Sequence, residues 1–332
     1  MNRRTALACG GLVLSTLTGG CNTVSTSPDG SVTESDGSDE WPETFFAPYH
    51  NMVMHSEIPL IEWSNHAGTD YLHFAFVHAG PDGRPAWNGE DDHVVGESSF
   101  DDRIRAFQDE GGRAIISFGG AAGDYLAGAY EDPEELADAL EQIIDEYGID
   151  YFDINDEIPG ENVFDIRNEA LAMLQERRPE LKVAYTLQAD TGGIGAADLP
   201  ILDSAIPHGV EVAVVNPMTM NFNYVPPSAE YCISALEGTH DQLADRFPER
   251  SDADLWSMIG ATPMIGQNTF GVFYPDDARQ IWEFARDNGV RMLSFWSVER
   301  DNPGPLGEIS PVHSGVDQEY YEYSQTFNQH NS

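Results

Sequence analysis

Lysine is almost missing from this chain of 332 residues: Lys182 is the single example, and 16 basic residues face 57 acidic ones, for a formal net charge of -41. Such a surface repels nucleic acid and anionic membranes, and so argues against either as a partner. Cysteine is nearly as scarce. Of the three present, Cys9 and Cys21 fall in the leading segment, which leaves Cys232 without a partner and the chain without a disulfide framework. Apolar runs are short, none of them long enough to span a bilayer as a helix. A Gly-x-Gly-x-x-Gly turn after the first strand and a Walker pattern are both missing, and a nucleotide site goes with them. The histidines at 50, 55, 66, 73, 78 and 93 are scattered, with no His-Glu-x-x-His or similar ligand spacing, so no metal or other cofactor is expected. There is no internal repeat.

What is present in excess is acid, with a pI near 4.2. Acid-rich, lysine-poor surfaces suit proteins kept soluble in molar salt, where the Debye length falls to about 3 Å and self-repulsion is screened. A halophilic source is therefore expected. The leading residues add an address. Arg3-Arg4, an apolar and small stretch from Ala6 to Leu17 and then Thr18-Gly-Gly-Cys21 resemble a twin-arginine export signal ending in a lipoprotein box, with Cys21 as the lipidated residue. Residues 22–40 are Ser, Thr, Asp and Gly with almost nothing apolar, the composition of a disordered tether. The expected organisation is thus a signal over 1–21, a tether over 22–40 and a domain over 41–332. The lipid at Cys21 would be its sole membrane link, on an extracellular, cell-surface protein.

Roughly 290 residues remain from Trp41 onward, enough for one large core. Short β-rich runs alternate there with helical stretches. Strands are expected at Phe45–Ala47, Tyr71–Val77, Arg113–Phe118, Ile149–Ile154, Val183–Leu187, Val212–Val215, Met258–Ile259 and Met292–Phe295. Helices are expected at Pro133–Tyr147, Val163–Glu176, Ala229–Phe247 and Pro275–Asn288. This alternation predicts an α/β fold, a closed (β/α)8 TIM barrel rather than an open doubly wound sheet.

The fourth strand carries the sharpest signal. It reads Asp150-Tyr-Phe-Asp-Ile-Asn-Asp-Glu157, and period-two alternation puts Asp153, Asn155 and Glu157 on one face, with Phe152 and Ile154 on the other. Crowded, buried carboxylates raise one another's pKa, which turns a Glu into a general acid near neutral pH. An acidic turn in a very acidic chain fits the segment as well. A metal hydrolase built on Asp153, Asp156 and Glu157 would need a nearby histidine that the spacing does not offer.

The other strand ends also carry motifs: Ser117-Phe-Gly119-Gly120, Asn216-Pro-Met218-Thr-Met220-Asn221-Phe222, Thr262-Pro-Met-Ile-Gly266 and Leu293-Ser-Phe-Trp296. In this order along one barrel, the chain resembles glycoside hydrolase family 18, the chitinases and endo-β-N-acetylglucosaminidases, and in particular its bacterial-type single-domain chitinases. The resemblance runs from about Phe45 to the tail. Its fourth-strand signature, Asp-x-x-Asp-x-Asp-x-Glu, falls on Asp150, Asp153, Asn155 and Glu157. A register two residues earlier leaves no acid at the last position.

The resemblance implies a retaining, substrate-assisted hydrolase of β-1,4-linked N-acetylglucosamine polymers. The 2-acetamido oxygen of the substrate acts as nucleophile, with Glu157 as acid/base and Asp153 and Asn155 as its partners. It also implies Trp296 as the floor under the sugar, Met218, Met220, Asn221 and Phe222 as a wall, and Gln188 as a hydroxyl partner. Tyr49, Trp87 and Tyr224 are candidate loop contacts, while Gly119 and Gly120 would let a loop pass close to ligand. The chain is expected to act as a monomer on chitin-like polysaccharide or oligosaccharide. It departs from the pattern at Asn155, where the family has aspartate, and at Asn221-Phe222, where it has Asp-Tyr. Losing such charge and hydroxyl donors costs on the order of 10²-fold in rate. The alternative is an attenuated or inactive chitinase-like surface protein that binds chitooligosaccharides or N-glycans.

Overall fold

The computed structural model describes residues 40–55, 58–157, 163–222 and 225–331, with residues 25–26 and 32–33 of the preceding segment. The export-type signal, Cys21, most of the tether and Tyr224 lie outside the described residues. Contacts divide the chain into two units, residues 1–41 and 42–332. In the first, Ser25–Thr26 pairs antiparallel with Val32–Thr33. No helix among the described residues is long and apolar enough to cross a membrane.

In the second unit parallel strands follow one another around a closed ring. Strand β1 runs as Phe45–Phe46 and, beyond Pro48, as Tyr49–Asn51. It is followed by β2 (Tyr71–Ala79), β3 (Arg113–Gly120), β4 (Tyr151–Asp156) and β5 (Lys182–Asp190). The ring continues through β6 (Val212–Met218), β7 (Gly260–Ala261) and β8 (Met292–Leu293). Tyr49 pairs with His73, and the ladder proceeds strand by strand to β6. A bridge from Val215 to Ile259 carries it to β7, Gly260 pairs with Met292, and Met292 pairs with Phe45 to close the barrel. Parallel neighbours need crossovers. These are α1 (Leu60–Ala67), α2 (Ser99–Asp109), α3 (Pro133–Tyr147), α4 (Val163–Arg177), α5 (Leu199–His208), α6 (Ala229–Arg246) with the short α7 (Asp252–Trp256), and α8 (Pro275–Asn288). A last helix, α9 (Glu322–Phe327), follows β8.

The expected strands all occur, but the fourth and the seventh sit two residues later than their apolar runs suggested and the eighth ends at Leu293. Ile259 still makes its bridge to Val215 while the ladder proper is Gly260–Ala261. The side chains facing outward from the barrel, among them Phe74, Ile116, Phe152, Ile154 and Tyr185, join the apolar faces of the helices in one buried cluster. Burial of this kind is worth about 25 cal/mol per Å² and holds the ring shut.

The ladder is irregular near the carboxyl end of β2. Between β2 and β3 the register runs Ala75 to Ser117 and then Val77 to Phe118, so Phe76 is the extra residue of a bulge. Plain alternation would send Phe76 outward with Leu72 and Phe74. The bulge re-aims it toward the barrel mouth.

Candidate active site

The inner face of β4 presents Asp153, Asn155 and Glu157 in order toward the carboxyl end of the barrel, where the strand ends meet loops and sites are built. Asp153 is fully buried. Tyr49 Oη lies 2.8 Å and Ser117 Oγ 2.5 Å from its Oδ2, and Thr186 Oγ1 donates to Oδ1 at 2.6 Å. Beyond Thr186 the polar layer continues, since Asn216 Nδ2 lies 2.9 Å from Thr186 Oγ1 and 2.7 Å from Thr262 Oγ1. Burial, reinforced by the charge of Asp153, holds the Tyr49 phenol far above its ordinary pKa, so it remains a donor. The Tyr49 ring stacks on His73 at 4.3 Å, and burial pushes that imidazole below its ordinary value.

Above this layer opens a cleft of about 630 Å³ lined by Asn155, Glu157, Gln188, Asp198, Met220 and Trp296 among others. Asn155 is 4% exposed, and its Oδ1 has no hydrogen-bond partner. Glu157 is partly buried. Its N–H donates to Tyr125 Oη at 2.7 Å and its carbonyl accepts from Gln188 Nε2 at 3.3 Å. Desolvation raises the Glu157 carboxyl pKa, the Gln188 amide opposes that, and the charge of Asp198 adds to the rise. On the facing wall the Trp296 and Phe76 rings lie 5.6 Å apart and nearly parallel, at 8°. Both border the cleft.

The structure brings together Asn155, Glu157, Gln188, Met218, Met220, Asn221, Tyr49 and Trp296 around the cleft, with Asp153 beneath it. Several expectations need correction. Tyr49 stands on β1, not on a loop, with its side chain buried and its hydroxyl at Asp153. Trp87 lies on the short strand Pro85–Trp87, fully buried, where its Nε1 donates to Tyr147 Oη, so it is a core residue. Phe222 is 1% exposed and packed into the apolar core rather than forming the cleft wall. Gly119 and Gly120 do not line the cleft. At Gly119, with φ of +96°, a Cβ would lie 2.3 Å from the Asn155 carbonyl oxygen; at Gly120, with φ of +89°, it would lie 2.8 Å from the Phe76 ring. Their lack of a side chain serves the packing of β3 on β4 and of the bulge, and Gly120 also lines a second pocket of about 560 Å³.

Phe76, Ser117, Thr186, Asn216, Thr262 and Asp198 are site residues that sequence reasoning missed. Each hydroxyl or amide of the polar layer sits among ordinary strand residues, and Asp198 is one acid among 57. Among the described residues no group of His, Cys, Asp or Glu could hold a metal ion. Asp153 is already engaged by three hydroxyls.

No family model matches the chain. It is 28% identical over 313 residues to a probable bifunctional chitinase/lysozyme of Escherichia coli (strain K12), an alignment covering 86% of this chain and 34% of that protein. To endochitinase 11 of Metarhizium anisopliae it is 27% identical over 285 residues, covering 80% of this chain and 54% of the other. The chain thus spans about a third to a half of the curated relatives it matches. Among solved structures, the catalytic domain of the hyperthermophilic chitinase from Pyrococcus furiosus aligns at 38% identity with a TM-score of 0.81, covering 87% of this chain and 95% of that one.

Proposed function

Because the chain belongs to glycoside hydrolase family 18, we propose that it cleaves chitin-like, β-1,4-linked N-acetylglucosamine polymers by a retaining, substrate-assisted route. The observation that carries this reading is Glu157: a carboxyl held in an open cleft opposite an aromatic wall, its pKa raised chiefly by desolvation. A carboxyl whose pKa is raised holds its proton more readily than a solvated glutamate, which is what a general acid needs.

In the first step Glu157 gives its proton to the glycosidic oxygen. The bond from that oxygen to the anomeric carbon breaks as the substrate's own acetamide oxygen bonds to the carbon, forming an oxazolinium ion. Asn155 suits the acetamide, because its buried Oδ1 lacks a partner and an acetamide N–H would supply one. That is how a costly orphaned acceptor becomes useful when substrate is bound. In the second step the Glu157 carboxylate takes a proton from water, whose oxygen attacks the anomeric carbon from the face the leaving group vacated, while the bond from that carbon to the acetamide oxygen breaks and the acetamide is restored. Configuration is retained. Asp153 acts from below by fixing Tyr49, and Trp296 with Phe76 offers an apolar face to a pyranose ring.

The test is hydrolysis of fluorogenic chitobioside and chitotrioside in molar salt by the wild type and Glu157→Gln. Turnover that falls by about 10³-fold or more in the variant supports the reading. The neutral amides at Asn155 and Asn221 favour a second reading, a surface protein that binds such sugars without cutting them. Saturable chitooligosaccharide binding by a wild type that turns nothing over would establish it. We further read residues 1–40 as an export signal, a lipid site at Cys21 and a tether. Cys21→Ser should then release the protein from the cell surface into the medium.

A further inference from the structure

The turn after β5 brings a second carboxylate into the cleft. Beyond Asp190 the chain doubles back, with Ile194 paired antiparallel to Ala189. Gly195 N–H donates to the Gln188 carbonyl at 2.9 Å, and Asp198 N–H donates to the Gly195 carbonyl at 2.9 Å. Asp198 is thereby tied to the residue whose side-chain amide reaches the backbone of Glu157. It occupies the N-cap position of α5, where an aspartate ordinarily accepts from the first turn of its helix. Here its side chain makes no such capping bond. It is 3% exposed and borders the same cleft as Glu157.

The groups facing Glu157 make this carboxylate count. From β4 itself comes neutral Asn155, with Asp153 deeper and bound by three hydroxyls. Tyr49 comes from β1, and Tyr125, from the loop after β3, receives the Glu157 N–H. At the end of β5, Asp190 is exposed and accepts from Gly192 N–H at 2.7 Å. Asn221 beyond β6 is exposed and uncharged. No lysine or arginine is among the described residues lining the cleft.

We propose that Asp198 is the electrostatic partner of Glu157, supplying from the β5–α5 turn the negative charge that Asn155 withholds on β4. The inference rests on the reading of Glu157 as the acid of this site. Asp198 is a positioning residue in this scheme: it acts through Glu157, whose ionisation its charge opposes.

The experiment uses the full chain in fixed molar salt, as wild type, Asp198→Asn, Asp198→Glu and Asp198→Asn combined with Asn155→Asp. One readout is the carboxyl ¹³C titration of Glu157 in ligand-free protein, assigned by the signal that Glu157→Gln removes. The other is the pH profile of kcat/KM on the fluorogenic chitotrioside. Asp198→Asn should move the Glu157 midpoint down, and the alkaline limb of the profile with it. Asp198→Glu should keep both where they are, and adding Asn155→Asp should restore them. A midpoint that stays put in Asp198→Asn, or one that Asp198→Glu displaces as far, overturns the proposal. If the midpoint moves as expected while even wild type fails to turn over, the coupling stands and hydrolysis is what fails.

Discussion

Asp153 and Glu157 share the inner file of β4, and almost everything around them differs. Asp153 is fully buried and meets the hydroxyls of Tyr49, Ser117 and Thr186, so the strain of burying a charge is absorbed by donors from three neighbouring strands. Glu157 stands at the cleft, partly desolvated, and the hydrogen bonds that hold it run through its backbone to Tyr125 and Gln188. A carboxylate saturated with donors fixes structure, because nothing is left for it to bind. A carboxyl whose backbone is pinned, and whose side chain meets the Gln188 amide at an open cleft rather than a cage of hydroxyls, can pass a proton. One strand thus makes an anchor and an acid from the same chemistry, and Asn155 between them is neither.

The sharpest way to break that contrast is Asp153→Ala. It removes the shared acceptor of three buried hydroxyls, at about 1–3 kcal/mol for each group left unsatisfied; Tyr49 and Thr186, 2.9 Å apart, can still pair with each other. Denaturant unfolding in fixed molar salt should show a loss of about 2 kcal/mol or more, together with loss of turnover as Tyr49 loses its bond to Asp153. A variant as stable as wild type would mean that the polar layer is not an anchor.

Trp296→Ala tests the cleft side alone. Removing one of two parallel rings takes away an apolar sugar-binding face while leaving the hydrogen bonds to Asp153 in place, although the Tyr49 ring, 6.0 Å away, loses a packing neighbour. Chitotriose binding, followed by calorimetry in the Glu157→Gln background to prevent turnover, should weaken about tenfold, with a much smaller change in unfolding midpoint. A large stability loss with unchanged binding would make Trp296 a core residue.

Asn155→Asp asks what the neutral position between anchor and acid does. If the amide attenuates the site, a carboxylate there should raise kcat severalfold and shift the alkaline limb of kcat/KM upward, since a like charge beside Glu157 favours its protonated form. A fall in kcat would show instead that the surrounding groups are tuned to the amide.

The anchor and the acid were unequally legible in the sequence. Period-two spacing was enough to find Asp153, Asn155 and Glu157, because a strand has only two faces. The helices at Pro133–Tyr147 and Pro275–Asn288 were equally plain, each opened by proline. By contrast α5 carries Pro200 and Pro207, which disguise a helix as a loop, and α1 is only eight residues long with no side-chain cap. The partners of Asp153 come from β1, β3 and β5; Ser117 shows only as the opening of a Ser-x-Gly-Gly turn, and nothing local marks Thr186 as different from any other strand hydroxyl. Phe76 was hidden by the bulge, which reverses the alternation that a reader of the sequence must assume. Long-range register and side-chain pairing, not secondary structure, were what had to be seen.

The smallest expected effect separates the two carboxyls by pH. Desolvation raises the Glu157 pKa above its ordinary 4.5, with Asp198 adding to the rise and Gln188 opposing it. The folded protein therefore holds this proton more tightly than the unfolded chain does. The resulting stabilisation is complete below the unfolded value and is lost as pH rises through the folded one. Glu157→Gln removes the titration. Relative to wild type, the variant should grow more stable as pH climbs from about 4.5 through the Glu157 midpoint and then level off. Paired unfolding curves across that window, in constant salt, measure it. Should the difference between the two proteins stay flat with pH, Glu157 is solvated like a surface acid, and the contrast with Asp153 reduces to one of depth alone.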